Sequence, residues 1–289
     1  ELWKKPGLTQ REIAERTGLG LATVNAAYKE CSAEELIEHG RITAKGMAAL
    51  RPYAVDNAVI LQRVSPRVSL LSPTSAQKAF AGTWRYPYRA PNRATASSRH
   101  QRHRCRGWLQ KKVSFLLSEE KYGVKIVVNR AYAERNNNSS LMLVKEVLGN
   151  TYICSSDNYF AENPFESHVW KAYYAAQYAE GKTEEWCLTA GAHDRIVKVE
   201  IGGQNAWYMI GQAYFDREFS ERFRSILETE YDLPQTRDKL WEDLYIEHIK
   251  ELDMQIRRYE APIIHEFDSL NELRDFDPMF LETSIVNLR

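Results

Sequence analysis

Hydrophobic positions change their period along this chain, from a short helical head to a long mixed body. At the head, Thr9 is followed three residues on by Glu12, then by apolar Ile13 and Ala14, and the run stops at Gly18. That spacing predicts one short helix with a capping box and a glycine stop. A second helical pattern covers 21–31 with Val24 and Ala27 inward, 36–43 predicts a small hairpin, and 44–50 a further short helix. Helix, glycine-containing turn, helix is the helix-turn-helix arrangement. Arg51-Pro52-Tyr53 then reads as a linker, dividing the chain into 1–52 and 53–289. In the body, 57–61, 124–128 and 151–155 have the continuous apolar character of buried strands, and 139–148 reads as a helix. Over 165–179, Val169, Trp170, Tyr173, Tyr174 and Tyr178 fall along one side at helical spacing, which predicts a helix with an aromatic core face. Strands are predicted over 186–189, 196–201 and 207–213, joined by turns at Asp194 and at Gly202-Gly203. Helices follow over 216–230 and 237–252, then strands over 255–259 and 262–267, with Ser269 and Glu272 capping a last helix. Strands interleaved with helices make the body an α/β domain.

Composition narrows the function classes. The 289 residues are 44% hydrophobic, which excludes a disordered or fibrous chain. Lys plus Arg equals Asp plus Glu at 39 each, so no global field argues for a nucleic-acid or membrane partner, and any such partner must be argued locally. Cys31, Cys105, Cys154 and Cys187 form no CxxC pair, which points to reduced thiols and a cytoplasmic setting. No apolar run approaches membrane-spanning length, so no membrane insertion is expected. The chain starts at Glu1 rather than Met, and residues upstream of it are expected.

Candidate chemistry sits at the ends of two apolar runs. The run Tyr152-Ile153-Cys154 stops on Ser155-Ser156 and then Asp157, as a buried strand delivering a carboxylate to a sheet edge would. Asp157 also reads as the cap of a helix starting near Asn163. The run 262–265 ends in Glu266 and Asp268, which share a face of a strand because they are two apart. Two strand ends presenting carboxylates suit a hard cation such as Mg²⁺ beside phosphates, and assign Asp157, Glu266 and Asp268 as metal ligands. Trp186, Trp207, Tyr208 and Tyr214 could wall a quaternary amine, or be ordinary sheet packing. On the second helix, Thr23, Asn25 and Lys29 are placed to reach a major groove; a docking or dimerisation role for the same module stands beside that reading.

The head resembles a winged helix-turn-helix domain. The segments Val127-Val128-Asn129, Asn136 to Leu141, Cys154 to Tyr159 and His265 to Ser269 together resemble the bacterial choline-phosphate cytidylyltransferases of the sugar-nucleotidyltransferase superfamily, here behind a winged helix. The resemblance implies a Rossmann-like mixed sheet, Mg²⁺ dependence, and conversion of CTP and phosphocholine to CDP-choline and pyrophosphate. It implies catalytic roles for Asp157 and Asp268, acceptor contact for Glu266, and nucleotide contacts for Asn137 and Ser140. A sugar 1-phosphate acceptor would alter only the second substrate.

One stretch departs from the family. After the first strand a glycine-rich phosphate loop is expected, but the chain reads Leu61-Gln62-Arg63-Val64-Ser65-Pro66-Arg67-Val68. Between Asp56 and Glu119 there is no acidic residue, while nine arginines crowd in. Codons permitted for 62–80, read from one base earlier, can spell A-A-G-F-S-S-R-F and onward to P-K-G-L; those for 83–112, read one base later, can spell an amphipathic helix followed by a strand. The segment 62–112 is therefore expected to be an out-of-frame reading of the phosphate-binding region, irregular in structure and costing the chain its turnover. The competing function is a DNA-binding regulator whose degenerate transferase domain senses a nucleotide or choline metabolite.

Overall fold

The computed structural model describes residues 1–61, 67–71, 125–131, 134–260, 263–266 and 275–276. Two compact units result, Glu1–Ala54 and Val55–Arg289. In the first, helix α1 (Gln10–Thr17) carries the Thr9–Glu12 capping box and ends on left-handed Gly18. Helix α2 (Leu21–Ala33) follows, then strands β1 (Ile37–Glu38) and β2 (Arg41–Ile42), and helix α3 (Ala44–Leu50), which is capped by the Thr43 hydroxyl accepting from Gly46 N–H at 3.0 Å. Val24 is the single buried residue of α2. Ala27, expected inward, is exposed: a unit this small buries little beyond Leu2, Leu8 and Val24.

The second unit is built on a seven-stranded mixed sheet. Its strands are β3 (Asn57–Leu61), β4 (Arg67–Leu71), β5 (Lys125–Val128), β6 (Thr151–Ser155), β8 (Tyr173–Ala190), β9 (Ile196–Phe215) and β10 (Gln255–Arg258), in the order β10-β8-β9-β6-β3-β4-β5. The pairs β3–β6 and β10–β8 are parallel and the others antiparallel. A separate ribbon pairs β7 (Asn158–Phe160) with β11 (Ile264–Glu266). Helices α4 (Asn138–Leu143), α5 (Arg217–Glu230) and α6 (Trp241–Glu247) complete the unit. Both faces of the sheet are covered. Val59, Ile153, Tyr174 and Ala213 pack with α4, α5 and α6 through Leu141, Phe223, Leu227 and Trp241. Their strand neighbours Ala58, Tyr152, Tyr173 and Tyr214 turn the other way, onto Phe160, Phe165, Val169 and Ile264. Alternate residues of one strand thus feed two cores, and the strands read as continuous apolar runs.

That two-sided burial explains the main correction. The predicted helix over 165–179 is absent: 165–171 is irregular and Tyr173 opens the 18-residue strand β8. A run apolar at every position satisfies helical and strand periods alike, and the sheet decided between them. Tyr173 and Tyr174 are core residues on opposite faces, while Trp170 is 71% exposed. The turn near Asp194 is present, with His193 and Asp194 at positive φ. Gly202-Gly203 is instead a register shift inside β9, with Thr183 opposite Gly203 and Trp186 opposite Ile201. Helix 139–148 shortens to α4 plus a 3₁₀ turn at Lys145–Val147, and 237–252 shortens to α6. Within 62–112, residues 67–71 form β4, so this part is regular where irregularity was expected. The remainder of that segment, with Cys105, Asp268, Ser269 and Glu272, lies outside the described residues. Among the described residues no helix is long and apolar enough to cross a membrane.

Candidate functional site

The carboxyl ends of the parallel pair β3–β6 mark the place where open α/β sheets keep ligands. There Ser156 N–H donates to the Leu61 carbonyl at 3.0 Å, and Ser156-Asp157 turns the chain from β6 into β7, so Asp157 caps no helix near Asn163. Asn158 is 1% exposed and anchors the turn, its side-chain amide donating to the Ile210 carbonyl at 2.6 Å. Gly211 makes that approach possible: its φ is +65°, and a Cβ there would lie 3.0 Å from the Asn158 amide. Strand β11 pairs antiparallel to β7 with Glu266 opposite Asn158, beside Asp157. Two of the three acids singled out from the sequence therefore share one end of this ribbon; Asp268 falls outside the described residues. Among the described residues no group of three His, Cys, Asp or Glu side chains could hold a metal ion. Two carboxylates nonetheless fit Mg²⁺, which keeps several waters and fills its shell with substrate phosphates.

A hydrogen-bond chain holds β11 in place. The Tyr208 hydroxyl donates to Gln177 Oε1 at 3.2 Å, and Gln177 Nε2 donates to the Ile264 carbonyl at 2.6 Å. Burial raises the Tyr208 hydroxyl pKa above its usual range, and the charges of Glu185 and Glu266 add to the shift. The four aromatics proposed as one wall divide between the two faces of the sheet. Trp186 and Trp207 pack against the helix-covered core. Tyr208 packs against the opposite core and Tyr214 is fully buried within it. Residues 207 and 208 must diverge because successive strand residues point to opposite faces. Tyr214 is thereby removed as a ligand contact, and Tyr208 alone of the four touches the network that reaches the acids.

Asn137 and Ser140 have their bonds inside the fold. Asn129, 1% exposed, donates to Ser139 Oγ at 2.7 Å and Ser140 Oγ at 3.0 Å. Asn137 Oδ1 accepts from Trp241 N–H at 2.8 Å, and its Nδ2 donates to Glu242 Oε2 at 3.3 Å. Asn138 Nδ2 donates to the carbonyls of Thr236 and Lys239 at 2.7 and 2.6 Å. The asparagine run thus ties α4 to the entrance of α6 through Asn137 and Asn138, while Ser140 is tied to Asn129. Sequence reasoning missed Glu242. Burial, only partly offset by hydrogen bonds from Asn137 and from the Tyr174 hydroxyl at 3.2 Å, pushes its pKa up to about 7. An acid in the first turn of a helix ordinarily reads as a dipole partner, so nothing in the sequence distinguished it.

In the first unit, Thr23, Asn25 and Lys29 are all exposed on α2. Residues 1–45 match the family described as winged helix-turn-helix DNA-binding. The second unit matches the choline-phosphate cytidylyltransferase of Streptococcus pneumoniae at 32% identity over 171 residues, 59% of this chain and 74% of that protein. The chain belongs to the choline-phosphate cytidylyltransferase family. The 2-aminoethylphosphonate cytidylyltransferase of Lancefieldella rimae is also similar, at 32% identity over 175 residues, 59% of this chain and 70% of that one. Among solved structures, the CTP:phosphocholine cytidylyltransferase of Streptococcus pneumoniae superposes with a TM-score of 0.55 at 31% identity, covering 59% of this chain and 74% of that one. The chain carries a mixed α/β nucleotidyltransferase fold, preceded in sequence by a winged helix-turn-helix domain.

Proposed function

We propose that the second unit transfers a cytidylyl group from CTP to phosphocholine, releasing pyrophosphate. The observation that carries this reading is the pairing of β7 with β11, whose register puts Glu266 opposite Asn158, the residue after Asp157, beyond the carboxyl end of β3–β6. In-line attack of an acceptor phosphate oxygen on the α-phosphorus of CTP needs positioning and charge neutralisation more than covalent catalysis. Asp157 and Glu266, with Asp268, would hold Mg²⁺, which when bound neutralises charge on the reacting phosphates. The fold's own contribution is alignment: Asn158, Gly211 and the Tyr208–Gln177–Ile264 chain fix where the two carboxylates stand. Glu266 also favours a cationic acceptor, and Tyr208 lies close enough to feel its charge. Both curated relatives are named for acceptors that carry an amine and a phosphorus group.

The test is CDP-choline formation from CTP, phosphocholine and Mg²⁺, followed by chromatography, for the chain as translated and for one whose 62–112 segment is restored to the shifted frames. The restored protein should form CDP-choline, and 2-aminoethylphosphonate should compete poorly. No CDP-choline from the restored protein, or CMP-2-aminoethylphosphonate formed in preference to it, would overturn the assignment. A second reading rests on the first unit: α2 stands exposed on a domain that matches DNA-binding winged helices, so this protein binds duplex DNA. An electrophoretic shift of a randomised duplex pool by the full chain tests that; the absence of any shift at low salt refutes it.

A further inference from the structure

We infer that the winged helix selects A·T-rich duplex, a conclusion that rests on the DNA-binding reading and adds the base class to it. With Val24 as the buried residue of α2, a turn of 100° per residue sets Ala22 and Ala26 on the opposite, outward side, with Asn25 and Lys29 beside them and Thr23 on the other flank. The N-terminal part of such a helix is the part that meets base edges in the major groove. There it presents two alanine methyls, a threonine methyl and one carboxamide. A carboxamide pairs bidentately with the N6/N7 edge of adenine, and apolar groups contact the thymine methyl. Guanine is read chiefly by Arg or Lys. Helix α2 has no arginine, and its one cation, Lys29, sits in the third turn, away from the end that reads bases.

The wing supports the same base class independently. His39 and Gly40, both at positive φ, make the tight turn between β1 and β2, and exposed Arg41 follows at once. Arginine and histidine at a narrow tip are drawn to the narrow minor groove of A·T tracts, where the negative potential is enhanced. Residues 1–54 hold eight Lys and Arg against seven Asp and Glu, so no strong net positive field adds to these contacts.

The experiment is selection of a randomised 20-base-pair library by the full chain, followed by sequencing and anisotropy titration of the enriched duplexes at fixed salt. The enriched core should be A·T-rich, bound about 10-fold or more tighter than a G·C-rich control. Asn25→Ala should relax the preference at one adenine position, and Arg41→Ala should relax it in the flank, with the circular dichroism unchanged. Enrichment of a G·C core, or equal affinity for both duplexes, overturns the inference and leaves DNA binding standing. No enrichment at all overturns both.

Discussion

Glu242 shows how one residue reports on its surroundings. Its folded pKa, about 7 against an ordinary 4.5, makes the native state the weaker acid. The stability associated with it is therefore fully present below about pH 4.5 and is lost as pH rises through about 7. Glu242→Gln keeps an acceptor for Asn137 and a partner for the Tyr174 hydroxyl while removing the buried charge. The variant should gain about 1–2 kcal/mol at pH 8 and nothing at pH 4, measured by urea denaturation at both values. Gly211 is a residue-scale constraint of another kind. A side chain there meets the Asn158 amide at a backbone angle that L-residues rarely adopt. Gly211→Ala should cost about 1–2 kcal/mol and reduce turnover of the restored enzyme more than a strand-surface alanine does, because the Asp157 turn moves with Asn158.

Between elements, His248 joins the end of α5 to the segment after α6. Burial pulls its pKa down, but hydrogen bonds to Glu230 at 2.6 Å and Glu251 at 3.3 Å outweigh it and hold the imidazole above its usual value. A raised histidine stabilises fully below its unfolded value of about 6.5 and loses that contribution as pH rises through its folded value. Thermal stability should accordingly fall from pH 6 to pH 8.5, and His248→Gln should flatten the fall. The Gln177 bridge links β8 to β11 in the same manner. Gln177→Leu leaves the Ile264 carbonyl unsatisfied, so the restored enzyme should lose kcat about 10-fold or more, with little change in the nucleotide KM. Equal loss in both would show that the bridge serves binding instead of positioning of Glu266.

For the whole molecule, the phosphate side of the site decides activity. The carboxylate side of the proposed site is built by β6, β7, β9 and β11, whereas the segment expected to cradle the triphosphate reads Gln62-Arg63-Val64-Ser65-Pro66. Catalysis of phosphoryl transfer relies on positioned donors to the phosphates, so restoring the frame should raise CTP turnover by on the order of 10³-fold or more. Comparable turnover by the chain as translated, or a gene whose codons forbid the shifted readings, would defeat that account.

Local signals were enough for much of this. The Thr9–Glu12 cap, the Gly18 stop, the hairpin at 36–43, strand 151–155 and the helix over 216–230 all depend on residues within a few positions of one another, and they stand in the structure as the sequence implies. The order of acids after apolar runs, with the segments around them, also led to the family to which the relatives assign the chain. What lay beyond sequence was every choice made by a distant partner. Tyr173-Tyr174 became strand because two cores claim opposite faces of one sheet. Trp207 and Tyr208 were separated by the same pleat, and Glu242 acquired its raised pKa from burial in the packed fold, which hydrogen bonds from Asn137 and Tyr174, more than sixty residues away, only partly offset. Periodicity records which residues prefer burial, but only the packed sheet determines against what they are buried.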